Sequence, residues 1–188
     1  MKLVKEVEKN ILLGFAGSAG IGKSTTAEWF ILHKDFVRLS FAGPLKSALS
    51  RLTGLTYDHF TEIKLKEKEI PGLPGITPRL LMQTMATEYV REMINPDFFI
   101  WRMRHSILNH SHRHMVIDDI RFENEAQLVR DNGGIVIHLQ REFETITKES
   151  KHVSEKGIKI KLDDIVVHCL ESADSTAEYI YKLTQGEL

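Results

Sequence analysis

An α/β fold, with a parallel sheet layered between helices, is what this sequence predicts, and three observations carry the prediction. Short apolar runs alternate with amphipathic stretches, the pattern of successive βα units. The first run, Ile11-Leu12-Leu13-Gly14-Phe15-Ala16, leads straight into a glycine-rich turn and then a helical pattern. The length, 188 residues, suits one domain with a substantial core.

Taken in order, Ile11 to Ala16 reads as a buried first strand because it contains no polar side chain. A helix is predicted over Ser24 to His33 and a short second strand over about 36 to 41. Pro44 suits the first turn of the next helix, where its missing N–H costs nothing. Residues 57 to 69 are strongly charged, and Pro71-Gly72-Leu73-Pro74-Gly75-Ile76-Thr77-Pro78 must be a loop. Helices at about 79–94 and 97–111 complete a helical insertion of about 54–112. Met115 to Asp119 is a strand and about 123–131 a helix, stopped by Asn132-Gly133-Gly134. Ile135 to Leu139 is a further strand. Residues 141–157 are polar without a period, as a lid would be. Ile165 to Cys169 is the last strand and Thr176 to Thr184 a terminal helix. No repeat interrupts this order, so one domain over 1–188 is expected.

Composition narrows the function classes. The formal net charge of −1 offers no basic excess for a nucleic-acid surface. The apolar runs are far too short to span a bilayer, and Met1 to Asn10 lacks the apolar core of a signal peptide. Cys169 is the single cysteine, which excludes an intrachain disulfide and fits a reducing compartment. A cytoplasmic protein without nucleic-acid or membrane partners is expected.

The turn after the first strand carries the chemistry. Gly17-Ser18-Ala19-Gly20-Ile21-Gly22-Lys23-Ser24 satisfies G-x-x-x-x-G-K-[ST] in full, between a strand and a helix. Glycines let successive N–H groups turn inward toward phosphate oxygens, and the helix N-terminus adds partial positive charge. This predicts ATP binding by Gly17 to Thr25. Lys23 is expected on the solvent side of the loop, reaching the β- and γ-phosphates, with the Ser24 hydroxyl on Mg²⁺. Ile117-Asp118-Asp119-Ile120-Arg121 ends a later strand, where an acidic side chain commonly holds Mg²⁺; Asp119 is preferred to Asp118 as the second metal-side residue. Arg121, two residues on, offers a fork for an acceptor phosphate.

Other segments extend the pattern: Ser40-Phe41-Ala42-Gly43-Pro44-Leu45-Lys46, Gly75-Ile76-Thr77-Pro78-Arg79 with Gln83 and Thr87-Glu88, Asp119-Ile120-Arg121-Phe122-Glu123-Asn124-Glu125-Ala126, and His152-Val153-Ser154-Glu155. Together with the phosphate loop, and in this order over most of the chain, they resemble the bacteriophage deoxynucleoside monophosphate kinases. These are a branch of the P-loop nucleoside monophosphate kinase superfamily. The resemblance implies a three-layer P-loop kinase fold with a helical acceptor-binding insertion, often dimeric. It implies transfer of the ATP γ-phosphoryl group, with Mg²⁺, to a deoxynucleoside 5′-monophosphate in the cytoplasm, the host's if the chain is phage-encoded. Lys23, Asp119, Arg121 and Arg141 would be catalytic, Arg141 closing over the transferred group. Ser40, Phe41, Lys46, Arg79, Gln83, Arg91 and Arg121 would bind the acceptor. Within that set, Lys46 would pair the phosphate, Phe41 pack on the base and Gln83 hydrogen-bond it, with Arg79, Gln83 and Arg91 on one helical face. The sequence departs from the family at Ala86-Thr87-Glu88-Tyr89-Val90, bulkier than the expected glycine-flanked run, which leaves base preference open.

Two signals are set aside. His105, His110, His112 and His114 lack the cysteine or carboxylate companions of a usual zinc site. Trp101 is placed in the core by helical spacing, in preference to an acceptor-pocket wall. Two alternatives remain: a P-loop kinase of another small acceptor such as dephospho-coenzyme A, and a nucleotide-dependent switch or assembly ATPase.

Overall fold

The computed structural model describes residues 10–141 and 158–187. Its strands are β1 Leu12–Ala16, β2 Val37–Leu39, β3 Met115–Ile117, β4 Ile135–Gln140 and β5 Ile165–His168. They form one sheet in the order β2-β3-β1-β4-β5, with every neighbouring pair parallel. Parallel neighbours require crossovers; helix α1 Lys23–Lys34 joins β1 to β2, and a helix over Glu123–Asp131 joins β3 to β4.

The alternation of β1 explains the layering. Leu13 and Phe15 join Ala27 and Phe30 of α1, and Ala177 and Ile180 of the terminal helix Ala173–Gln185, in one buried cluster. Gly14, between them, faces the other way. A Cβ there would lie 2.5 Å from Ile120 Cδ1 and 3.0 Å from Val129 Cγ2. Glycine is what lets the Glu123–Asp131 helix and the loop before it settle onto the strand. Helices thus cover both faces of the sheet, the three-layer arrangement expected.

The chain divides into two compact units: residues up to Leu39 with those from Arg104 onward, and Ser40–Met103. The second is thus an insertion, compact in itself, and it both begins and ends earlier in the chain than the 54–112 stretch read from the sequence. It contains α2 Gly43–Thr53, a 3₁₀ turn Tyr57–Phe60, α3 Ile63–Lys66, α4 Pro78–Gln83 and a π-helical segment Thr84–Ile94. The boundary falls inside α5 Phe98–Asn109, after which come α6 Glu123–Asp131 and α7 Ala173–Gln185.

Two expectations are corrected within these elements. The predicted α-helix at 79–94 is α-helical only to Gln83; beyond it the hydrogen bonds widen to i→i+5, with Asn95 N–H donating to the Val90 carbonyl at 2.9 Å. Arg79 and Gln83, four apart within α4, keep the spacing of one α-helical face, but Arg91 lies in the π-helical segment, where that period no longer holds. Trp101 is 59% exposed, because Phe99, Ile100, Met103 and Ile107 take the inward face of α5. Its ring instead meets Phe98, with centroids 5.9 Å apart.

Among the described residues no helix is long and apolar enough to cross a membrane. Residues 142–157, including His152 to Glu155, and Met1 to Lys9 lie outside those described.

A buried ion network braces the first unit. Asp164 has a fully buried side chain and accepts from Arg130 Nε at 2.9 Å and Nη2 at 2.7 Å, and from the Lys161 N–H at 2.8 Å. His138 Nε2 lies 2.9 Å from the same carboxylate. Burial alone would raise the Asp164 pKa, but the hydrogen bonds from Arg130, Lys161 and His138 overcome it and hold the group at about 2. A depressed carboxylate pKa stabilises the fold above the unfolded value, near 4, and that stability is lost as pH falls toward 2. Asp164→Asn is expected to cost about 2 kcal/mol or more at pH 7. The difference from wild type should shrink between pH 4 and 2 in urea melts; a gap independent of pH would show that the carboxylate's charge is not what stabilises.

Candidate active site

The C-terminal edge of a parallel sheet is where ligands meet an α/β fold, and four chain segments of the first unit leave the sheet there. β1 runs into the phosphate loop, β3 into Asp118-Asp119, β4 into Arg141 and β5 into Cys169.

The loop has the backbone of an anion cradle. Gly17, Gly20 and Gly22 have φ of 141°, 79° and 106°, in the region that favours glycine. At Gly17 a Cβ would also meet the Leu139 carbonyl oxygen at 2.6 Å, whereas at Gly20 and Gly22 nothing lies within 4 Å. The loop therefore rests tightly on β4 at one end and is open where phosphates would enter. Gly22 caps α1 without a side-chain hydrogen bond, and no acidic residue occupies the first turn, so the positive end of the helix is uncompensated by carboxylates. Ser18, Ala19, Ser24 and Thr25 are exposed, while Ile21 is buried and anchors the loop.

Lys23 is corrected from solvent-side to buried, at 9% exposure. Its ammonium group donates to the Gly17 and Ser18 carbonyls at 2.8 and 2.7 Å, folding back across the loop it serves. Arg141 is exposed and its Nη2 donates to the Gly20 carbonyl at 3.2 Å. Cys169 Sγ lies 3.8 Å from the Ile21 carbonyl oxygen, bringing the chain after β5 to the same loop.

Asp118 and Asp119 follow β3, whose last pair is Ile117 with Gly14 of β1. Asp118 is buried and 3.8 Å from Arg38 Nε; Asp119 is half-buried. The next turn is fixed by Glu125, which is 2% exposed and accepts from the Arg121 N–H at 2.7 Å and the Phe122 N–H at 3.1 Å. As the third residue of α6 it bonds back to the capping residue, half of a capping box. This holds the Arg121 backbone while its side chain is exposed. Sequence reasoning missed the part Glu125 plays, because Phe122 at the capping position lacks the side-chain oxygen that marks a capping box. Among the described residues the Arg121 guanidinium has no hydrogen-bond or ion-pair partner.

The remaining acceptor candidates belong to the second unit. Ser40 Oγ accepts from the Gly43 N–H at 2.9 Å, shaping the turn into α2. Phe41 is 4% exposed, so it offers almost no surface for a base to pack on, contrary to expectation. Lys46 and Gln83 are half-buried. Arg79, placed at the start of α4 by the Thr77 cap and Pro78, pairs with Glu67. Arg91 is another correction: at 9% exposure it lies over the Phe99 ring, 4.7 Å from its centroid, and donates to the Pro96 carbonyl at 3.4 Å. It is packed inside the unit rather than presented as an open phosphate contact.

Two of the four histidines set aside in the sequence, His110 and His114, have defined structural partners. His114 Nδ1 accepts from the Ile11 N–H at 3.0 Å and its ring stacks on Phe36; His110 Nδ1 lies 2.8 Å from the Ser106 carbonyl oxygen. Among the described residues no group of three His, Cys, Asp or Glu side chains is placed to hold a metal ion.

Comparison with known proteins gives this geometry its context. Residues 56–180 match the family described as deoxynucleotide monophosphate kinase. The chain belongs to that family. An Acanthamoeba polyphaga mimivirus protein, provisionally named a deoxynucleotide monophosphate kinase, is 31% identical over 172 residues, covering 84% of this chain and 87% of the relative. A deoxynucleoside-5′-monophosphate kinase of Escherichia phage T5 is 30% identical over 91 residues, 46% of this chain and 36% of the relative. Among solved structures, dephospho-CoA kinase from Campylobacter jejuni superposes with a TM-score of 0.50 at 15% identity, covering 94% and 98% of the two chains. At that identity the likeness speaks for the fold alone. The family match starts after α2 and ends inside α7, so it includes the greater part of the insertion and the Asp119–Arg121 turn, while the phosphate loop and α2 precede it.

Proposed function

We propose that the chain transfers the γ-phosphoryl group of ATP to a deoxynucleoside 5′-monophosphate, releasing ADP and a deoxynucleoside diphosphate. The observation that carries this is the loop itself, in a chain of this family: an open glycine backbone at an uncompensated helix N-terminus, with Lys23 lying across it. An acceptor phosphate oxygen attacks the γ-phosphorus, the bond from that phosphorus to the β-bridging oxygen breaks, and ADP carries away the electrons. Such a transfer is mostly positioning and charge neutralisation. On this reading Lys23 leaves its carbonyl partners for the β- and γ-phosphates, and Arg141, already at the loop, meets the transferred group. Arg121 grips the acceptor phosphate, with Lys46, Arg79 and Gln83 serving the nucleotide from the insertion. Ser40 shapes the turn that carries Phe41, and Arg91 stiffens the π-helical segment.

The donor set fits Mg²⁺, a hard cation that prefers oxygen ligands: an exposed Ser24 hydroxyl and the half-buried Asp119 carboxylate are both oxygen donors. When bound, the ion would neutralise charge on the phosphates. Asp118 is the poorer candidate because it is buried beside Arg38. Asp119→Asn should therefore reduce Mg²⁺-dependent turnover by about 10-fold or more, beyond the effect of Asp118→Asn. Steady-state kinetics over a Mg²⁺ series compares them, and a larger loss for Asp118→Asn would reverse the assignment.

The reaction belongs in the cytoplasm, where ATP and deoxynucleotides are found. ADP release coupled to a panel of deoxynucleoside monophosphates tests the proposal. ADP formed only with dephospho-coenzyme A, or formed equally without acceptor, would favour the other kinase or the ATPase.

A further inference from the structure

Arg38 is singled out neither by the phosphate-loop motif nor by the family resemblance. It is the middle residue of β2, in register with Val116 of β3. Its guanidinium meets three groups of the first unit. Nη2 donates to the Ser24 carbonyl at 3.0 Å and to the Glu28 carboxylate at 2.7 Å, and Nε lies 3.8 Å from Asp118 Oδ2. One planar fork thus ties the first turns of α1, which carry Lys23 and Ser24, to the strand end that carries Asp118 and Asp119. The Asp118 side chain is 9% exposed, and a carboxylate so buried is costly without a cation beside it.

We propose that Arg38 is a positioning residue for the metal side of the nucleotide site. By fixing the Ser24 turn against the Asp118-Asp119 segment, it sets how far Mg²⁺ tightens nucleotide binding. The inference rests on the ATP and Mg²⁺ reading above. The fork is what matters: a lysine keeps the charge but presents a point rather than a plane, and does not span three partners in fixed directions. A cation here would also repel a metal ion. Arg38, however, already faces two carboxylates, Glu28 and Asp118, and is 35% exposed at the side chain, so that repulsion is largely offset and screened. The two effects have opposite signs, which makes the proposal decidable.

The experiment is calorimetric titration of ADP, with and without Mg²⁺, into wild type, Arg38→Ala and Arg38→Lys, beside thermal melts. The expected result for Arg38→Ala is a fall of roughly tenfold in the affinity gain that Mg²⁺ confers, with Mg²⁺-free ADP affinity nearly unchanged. Arg38→Lys should remain nearer to Arg38→Ala than to wild type. A packing role alone would lower Tm and both affinities together, leaving the gain as in wild type, and would overturn the proposal. So would a larger gain in Arg38→Ala, the signature of simple repulsion. Should Arg38→Ala fail to fold, Arg38→Lys decides, a wild-type gain counting against the proposal. A wild type that binds no ADP would instead sink the nucleotide-site reading, and this inference with it.

Discussion

Lys23→Ala is expected to lower turnover by ~10³-fold or more while the protein still folds. The ammonium group is the side-chain cation of the loop motif, and charge stabilisation of this kind acts on phosphates whose negative charge is redistributed during transfer. Lys23 is also 9% exposed and donates twice to the loop, at Gly17 and Ser18. The variant should therefore lose about 1–3 kcal/mol of stability as well, each hydrogen bond being worth ~1 kcal/mol. Melting measurements separate the two effects, and turnover should be measured well below the variant's Tm. Activity above about a tenth of wild type in folded variant would refute the role assigned to the loop.

Removing the proposed acceptor forks should produce the next largest losses. Arg121→Ala and Arg79→Ala are each expected to reduce kcat/KM for the monophosphate by roughly 10²-fold, the cost of a charge-assisted fork to phosphate. ATP affinity measured without acceptor should barely move. The two residues start from different states. The Arg121 side chain is exposed above a backbone held by Glu125, whereas Arg79 is paired with Glu67. Arg121→Ala should therefore leave Tm nearly unchanged, while Arg79→Ala also removes an ion pair. Kinetics with dTMP and dGMP beside equilibrium ATP titration would check both. Equal weakening of ATP binding would assign the arginines to the donor, and no effect on either substrate would make them ordinary surface charges.

The parts of this molecule that were legible in the sequence are those whose cause is local. β1 is an apolar run, the loop is a contiguous motif, and α6 has its Glu123–Asp131 bounds because Asn132-Gly133-Gly134 cannot continue a helix. The rest depends on distant partners. Apolar spacing drew the chain into one helix at 79–94, but an α period and a π segment place similar residues inward over so short a span. Trp101 lost the inward face of α5 to four neighbours, an outcome no spacing rule decides. Lys23 could not be known to fold back on its loop, nor Arg91 to lie over Phe99, until the surrounding backbone was in place. Arg38 left no sequence signal, because β2 is three residues long and Asp118 is remote in the chain. The Asp164 network likewise joins α6, β4 and the residues before β5.

The parallel order β2-β3-β1-β4-β5 also fixes a timetable. Ile11 and His114, which flank the β1–β3 pairing, are 103 residues apart, and β1 meets β4 later still. At ~5–20 residues synthesised per second, β1 waits roughly 5–20 s on the ribosome before its first partner exists. During that interval it is an apolar strand with both edges unsatisfied, the kind of segment that invites pairing with other chains. Ser40–Met103, by contrast, is contiguous and can condense as soon as it emerges. The central strand of the catalytic unit is thus made first yet completed only after the whole insertion, β3 and β4 have followed, and chaperone demand during expression should fall on β1 rather than on the insertion.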